Sequence, residues 1–111
     1  MAALMRMKTA MIAEADSAEL ARVFSDLAAR WRRETAAHSV LQKKVLHPAY
    51  QRIIGLGPAV VPYVLRELQR EPAHWFWALN AITGADPAPA GSTFQEAAEA
   101  WLKWGMERGY L

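Results

Sequence analysis

Apolar residues return along this chain at helical spacing. Between residues 17 and 35, Leu20, Val23, Phe24, Leu27, Ala28 and Trp31 fall on one stripe at about 100° per residue, with Arg22, Asp26, Ala29 and Arg33 opposite. Asp16 or Ser17 suits the N-cap of that helix, and Glu19 lies in its first turn, where a negative charge meets the positive end of the helix dipole. From Thr35 to His47 the pattern loosens: Val40, Leu41, Val45 and Leu46 suit a short helix whose Gln42, Lys43 and Lys44 face water. Pro48 resets the chain, and PAYQRIIG reads as a helix that buries Tyr50, Ile53 and Ile54 and stops at Gly55 or Gly57.

Residues 58–70 place Val60, Val61, Val64, Leu65 and Leu68 on one face, with Arg66, Gln69 and Arg70 on another. Pro62 lacks an N–H, so the regular helix begins near Val61 or is bent in its first turn. Pro72 is expected to open the next helix, whose stripe is Trp75, Leu79 and Ile82 and whose stop is Gly84. ADPAPAGS is a loop. Ser92 or Thr93, with Gln95 or Glu96 three residues on, forms a capping box for a last helix over 94–108. There Phe94, Ala97, Ala98, Trp101, Leu102, Trp104 and Gly105 make the buried stripe, and Glu96, Glu99, Lys103 and Glu107 face out. No alternating pattern of useful length predicts a strand. The expected fold is all-α: residues 1–16 form a frayed or extra N-terminal helix, and residues 17–111 form a single compact domain of about five helices.

Composition changes this picture little. With 111 residues, 53% of them hydrophobic, 22% charged and five Trp, the chain supports one packed core. It has no cysteine, which excludes disulfides and thiolate metal sites. The opening MAALMRMKTAMIAE is too short and too interrupted by Arg6 and Lys8 for a membrane span or a signal peptide, so neither is expected. Charge matters more. The net charge is only +2, yet residues 1–70 carry 11 Lys+Arg against 6 Asp+Glu, and residues 71–111 carry 2 against 5. Such polarity steers encounters with acidic partners or nucleic acid.

The stretch IIGLGPAVVPYVLRELQREPAHWFWALNAITG, residues 53–84, resembles a HEAT-type helical repeat. Gly57, the run Ala59 to Pro62, Leu65 and Leu68 match its first helix, and Ala78, Leu79, Ile82 and Gly84 its second. It departs from that family at the start of the second helix, where His74, Trp75, Phe76 and Trp77 stand in place of the usual Arg. Residues 20–111 are also similar to a set of short bacterial proteins sharing HPAYQ, GLG, HWFWAL, AITG and WLKWG. These resemblances imply an antiparallel helix pair, a bacterial cytoplasmic protein and, by analogy with HEAT-type scaffolds, partner recognition rather than catalysis.

The chemistry-bearing residues point the same way. GLG lacks a third glycine, and Pro58 removes a backbone donor, so it reads as a helix–helix turn and not a phosphate loop. His38, His47 and His74 have no partner at metal-pair spacing. His47 suits a helix start, and His74 a first turn facing solvent. Glu96 and Glu99 share a polar face and read as solvated surface. No catalytic residue, metal site, cofactor or small-molecule substrate is expected.

Two surfaces remain. Trp77 points away from the stripe of its own helix, together with Ala81, which fits either a middle helix buried on two sides, the favoured placement, or an exposed anchor for a partner. The leading expectation is a small helical interaction module or accessory protein, antitoxin-like in one version, that binds a protein partner or itself through His74 and Trp77, extended by Tyr50 and Arg52. The alternative is nucleic-acid binding through Arg30, Arg32, Arg33, Lys43, Lys44 and Arg52, a window in which Glu34 is the one acid, with part of that charge paired along the first helix.

Overall fold

The computed structural model describes the backbone from Ala2 to Leu111 and the side chains from Asp16 onward. The expected frayed or extra helix of residues 1–16 therefore falls, apart from its helical backbone and Asp16, outside the described residues. The chain folds into six α-helices: α1 (Ala2–Thr35), α2 (Leu41–Val45), α3 (Pro48–Gly55), α4 (Val61–Arg70), α5 (Phe76–Thr83) and α6 (Phe94–Glu107), with a 3₁₀ turn at Pro58–Val60 leading into α4. No strand occurs among the described residues, and the fold is all-α.

Helix α1 does not begin at Asp16 or Ser17. Both stand inside one continuous helix, because the preceding Ala, Met, Leu, Lys and Glu residues are good helix formers with no proline or glycine to interrupt them. Its stripe is as expected, with Phe24, Ala28 and Trp31 buried. The core closes around Tyr50 and Ile53 of α3, Val60, Val61, Val64, Leu65 and Leu68 of the α4 hairpin, Trp75, Ala78 and Leu79 at α5, and Ala98 and Trp101 of α6. Its centre is aromatic. Trp75 stacks on Tyr50 with ring centroids 5.7 Å apart, lies 4.5 Å from Trp31 and 5.9 Å from Phe24, and is fully buried.

Packing partners follow chain order only in part. Helix α3 lies against α1 and α5, while α4 lies chiefly against α6 and touches α5 over a smaller area. Pro72 does not open a helix. Residues 71–75 are irregular, and α5 starts at Phe76, where buried Trp75 is its N-cap. Gly84 ends α5 at φ 73°, a left-handed position that glycine occupies without Cβ strain. Helix α6 opens on a complete capping box: the Thr93 hydroxyl accepts from the Glu96 N–H, and the Glu96 carboxylate accepts from the Thr93 N–H. Those bonds hold the Glu96 carboxyl below the usual carboxylate range.

Helix α6 reaches α4 through Gly105. A Cβ there would lie 2.7 Å from Leu65 Cδ1 and 3.3 Å from Leu111 Cδ1. Gly105→Ala is therefore expected to destabilise the fold by about 1–2 kcal/mol through overpacking, although alanine is the better helix former. Urea denaturation of the two proteins checks this.

An ion-pair cluster ties α1 to α4. Arg32 donates from Nε and Nη2 to Glu67 Oε2 at 3.0 and 2.8 Å, and Nη2 also donates to the Glu71 carbonyl. Arg70 approaches the same Glu67 carboxylate, whose side chain is only 11% exposed. The Arg32 guanidinium sits 5.9 Å from the Trp75 ring centroid, so it covers the aromatic core as well as pairing.

Candidate interaction face

Helix α2 is held by its carbonyl end. The Trp31 indole Nε1–H donates to the Lys44 carbonyl at 2.8 Å, and Gln51 Nε2 donates to the Val45 carbonyl at 2.7 Å. Both carbonyls belong to the last turn, whose acceptors have no partner within the helix. These bonds and the burial of Val45 fix α2 with its other apolar residues outward. Val40 is 50% exposed, Leu41 47% and Leu46 61%. Only Val45 of this run is buried, because a five-residue helix can set only a narrow stripe into the core. Leu46 follows Val45 by about 100° and turns away from it.

Helix α5 is fixed at its start. The Tyr50 hydroxyl donates to the His74 carbonyl and accepts from the Ala78 N–H, both at 2.9 Å. Ala78 is the third residue of α5, and its N–H is one of the donors that a helix N-terminus leaves without an internal acceptor. No side chain of α5's own N-cap supplies one. With Ala78 and Leu79 set into the core, Trp77 must face out, and it is 60% exposed. The favoured middle-helix placement is thus corrected: among the described residues none covers Trp77 on the far side of α5.

Trp77 meets α2 across an open groove of about 410 Å³ lined by Leu41, Gln42, Val45, Leu46 and Trp77. It gathers three of the large apolar side chains that are exposed among the described residues, Leu41, Leu46 and Trp77, and exposed clusters of this kind mark interaction sites on folded proteins.

The residues singled out from the sequence separate. Trp77 lines the groove. Tyr50 does not belong to any surface: it is fully buried, and burial raises its phenol above the usual range. Arg52 is exposed on α3 and is not among the groove-lining residues. His74 is half-buried and turns to α6, with its ring edge-on to Phe94 at 4.9 Å and to Phe76 at 6.2 Å. Val40, Leu41 and Leu46 were missed as surface residues. The available signal was their spread, too wide for one buried stripe.

The basic window also divides. Arg30 pairs with Glu34 at 2.9 Å, and Arg32 is committed to Glu67. Arg33, Lys43, Lys44 and Arg52 have no acidic partner among the described residues. His47 caps α3 by accepting from the Ala49 N–H and contacts Glu34 at 3.1 Å. Glu96 and Glu99 are exposed, the first spent in the capping box and the second accepting from Gln95. Gly57, at φ 80°, turns the chain from α3 into the 3₁₀ segment.

Burial, and then the charge of Lys44, hold the His74 imidazole below its usual pKa. Its neighbours are Phe76 and Phe94, with Lys44 the charged group, and none stabilises a protonated ring. The folded state therefore binds fewer protons than the unfolded chain near the ordinary histidine range. Stability is full above about pH 6.5 and falls as the pH drops through that value toward the lowered folded pKa. Thermal melts of wild type and His74→Gln between pH 7.5 and 5 should show a smaller fall in the variant.

No described helix is long and apolar enough to cross a membrane, and among the described residues no group of three His, Asp or Glu side chains is arranged to hold a metal ion. Comparison with protein-family models, with curated proteins and with solved structures yields no significant match to this chain.

Proposed function

We propose that this chain is a small helical interaction module that binds a protein partner through the face of α2 and α5. The observation that carries the reading is the exposed set Leu41, Leu46 and Trp77 around one groove on an otherwise well-packed core. Tryptophan concentrates binding energy at interfaces, because one rigid side chain buries a large area at little entropic cost. The resemblance of residues 53–84 to a HEAT-type pair supports this by analogy, since such pairs serve as scaffolds. A cytoplasmic, non-enzymatic role as an accessory or antitoxin-like protein belongs to the same reading.

Nucleic-acid binding is the second reading, favoured by Arg33, Lys43, Lys44 and Arg52, which have no acidic partner among the described residues. Affinity capture from the native host, with and without nuclease, separates the two. The proposal expects specific proteins, identified by mass spectrometry, that survive nuclease and disappear with Trp77→Ala. Capture that is unchanged by Trp77→Ala overturns it, and capture that nuclease abolishes supports the second reading.

A further inference from the structure

We infer that the occupant of the α2/α5 groove is an acidic amphipathic helix of another protein. The inference rests on the interaction reading above and adds the chemistry of the partner. Between Glu34 and Glu67 the chain holds no Asp or Glu, and between Glu71 and Asp86 it holds none either. Helices α2, α3 and α5 and the α2–α3 connection lie within those two stretches. Every ionised side chain they carry at neutral pH is therefore cationic: Lys43 and Lys44 on α2 and Arg52 on α3. The one acid beside the α2–α3 connection is Glu34 of α1, which Arg30 and His47 engage; an apolar groove whose remaining charge is basic complements an apolar stripe bordered by carboxylates.

The same charge pattern selects among occupants. A second copy of this chain docking face to face would bring Lys43 and Lys44 toward their own counterparts, and the one acid near the α2–α3 connection, Glu34, is already engaged by Arg30 and His47. A nucleic acid would find the cations and Trp77 but would set its phosphates against Leu41, Val45 and Leu46, which offer them no donor. A helix with apolar residues at i, i+3 or i+4 and i+7 fills the groove, while its flanking Glu or Asp residues meet the lysines.

The test uses the full chain and three synthetic peptides of about 18 residues, each about 27 Å long when helical. One has a leucine stripe flanked by glutamates, one the same stripe flanked by lysines, and one the glutamates with serines in place of the stripe. Fluorescence anisotropy at low salt should show the first binding at least about tenfold tighter than either other, with the charge-dependent gap closing in about 0.5 M salt. Trp77→Ala should weaken binding of the first peptide about tenfold or more. The double substitution Lys43→Glu, Lys44→Glu should narrow the gap between the glutamate and lysine peptides without lowering the melting temperature. Equal affinity for the two stripe peptides, preference for the lysine peptide, or binding of neither overturns the inference. So does tighter binding of a single-stranded oligonucleotide, or a dimer in sedimentation that Leu46→Glu dissolves. Failure with the peptides alongside Trp77-dependent capture from the host overturns the acidic-helix inference alone. Capture independent of Trp77 overturns the interaction reading beneath it.

Discussion

Tyr50→Phe is expected to lower the unfolding free energy by about 2–3 kcal/mol, a large effect for the loss of one oxygen. The hydroxyl serves two backbone groups at once, the His74 carbonyl and the Ala78 N–H. Phenylalanine keeps the ring and its stacking on Trp75 but leaves a donor and an acceptor without partners in the core, each costing about 1–3 kcal/mol before relaxation. The melting temperature should fall by about 10 °C. Hydrogen exchange should accelerate most at the first turn of α5, where Ala78 loses its acceptor. Because that turn sets the direction of Trp77, peptide or partner affinity should fall too, although residue 50 never touches the groove.

The second large effect is at Glu67. Glu67→Ala leaves Arg32, whose side chain is 23% exposed, beside Trp75 with only the more distant Glu71 carboxylate at 3.9 Å, and leaves Arg70 with Glu71 alone. Breaking a fully buried pair costs about 3–5 kcal/mol; here the arginine retains the Glu71 carbonyl, the Glu71 carboxylate and some water, so about 2 kcal/mol is expected. Arg70→Ala, at an exposed side chain, should cost less than about 1 kcal/mol. Chemical denaturation of the two variants side by side checks the contrast. Equal losses would mean that the Glu67–Arg70 pair, and not the pairing with Arg32, carries the effect.

Much of the fold was legible in the sequence because its signals are local. The stripe of α1, the stop at Gly84, the start of α4 near Val61 and the Thr93–Glu96 capping box each depend on residues within a few positions of one another. What could not be read there depends on distant neighbours. Tyr50 read both as a buried residue of its helix and as an extension of the partner surface, and its bonds to His74 and Ala78, 24 and 28 residues later, place it inside. Glu67 and Arg32, 35 residues apart, gave no sign of each other. Asp16 and Ser17 suggested a cap by their chemistry, but helix formers on both sides carry α1 through them.

The candidate face was half legible. The sequence placed Trp77 opposite the buried stripe of its helix, but whether a neighbour covered it was a matter of tertiary arrangement. Its companions Leu41 and Leu46 read only as part of a short helix, without being assigned to a surface. The structure leaves them out, since Trp31 and Gln51 grip α2 by its carbonyls and turn only Val45 inward. Two core aromatics, Trp31 and Tyr50, thus set the two elements that display the groove.

The proposed interaction reading places binding in the face of α2 and α5. The most direct measurement is the dissociation constant for a captured partner, taken with alanine at Leu41, Leu46 and Trp77 and, as controls, at exposed Gln95, Glu99 and Lys103 of α6. Losses of about tenfold or more confined to the first three, at unchanged melting temperature, are predicted. Equal affinity across all six variants, or losses that fall on α6, would contradict the account.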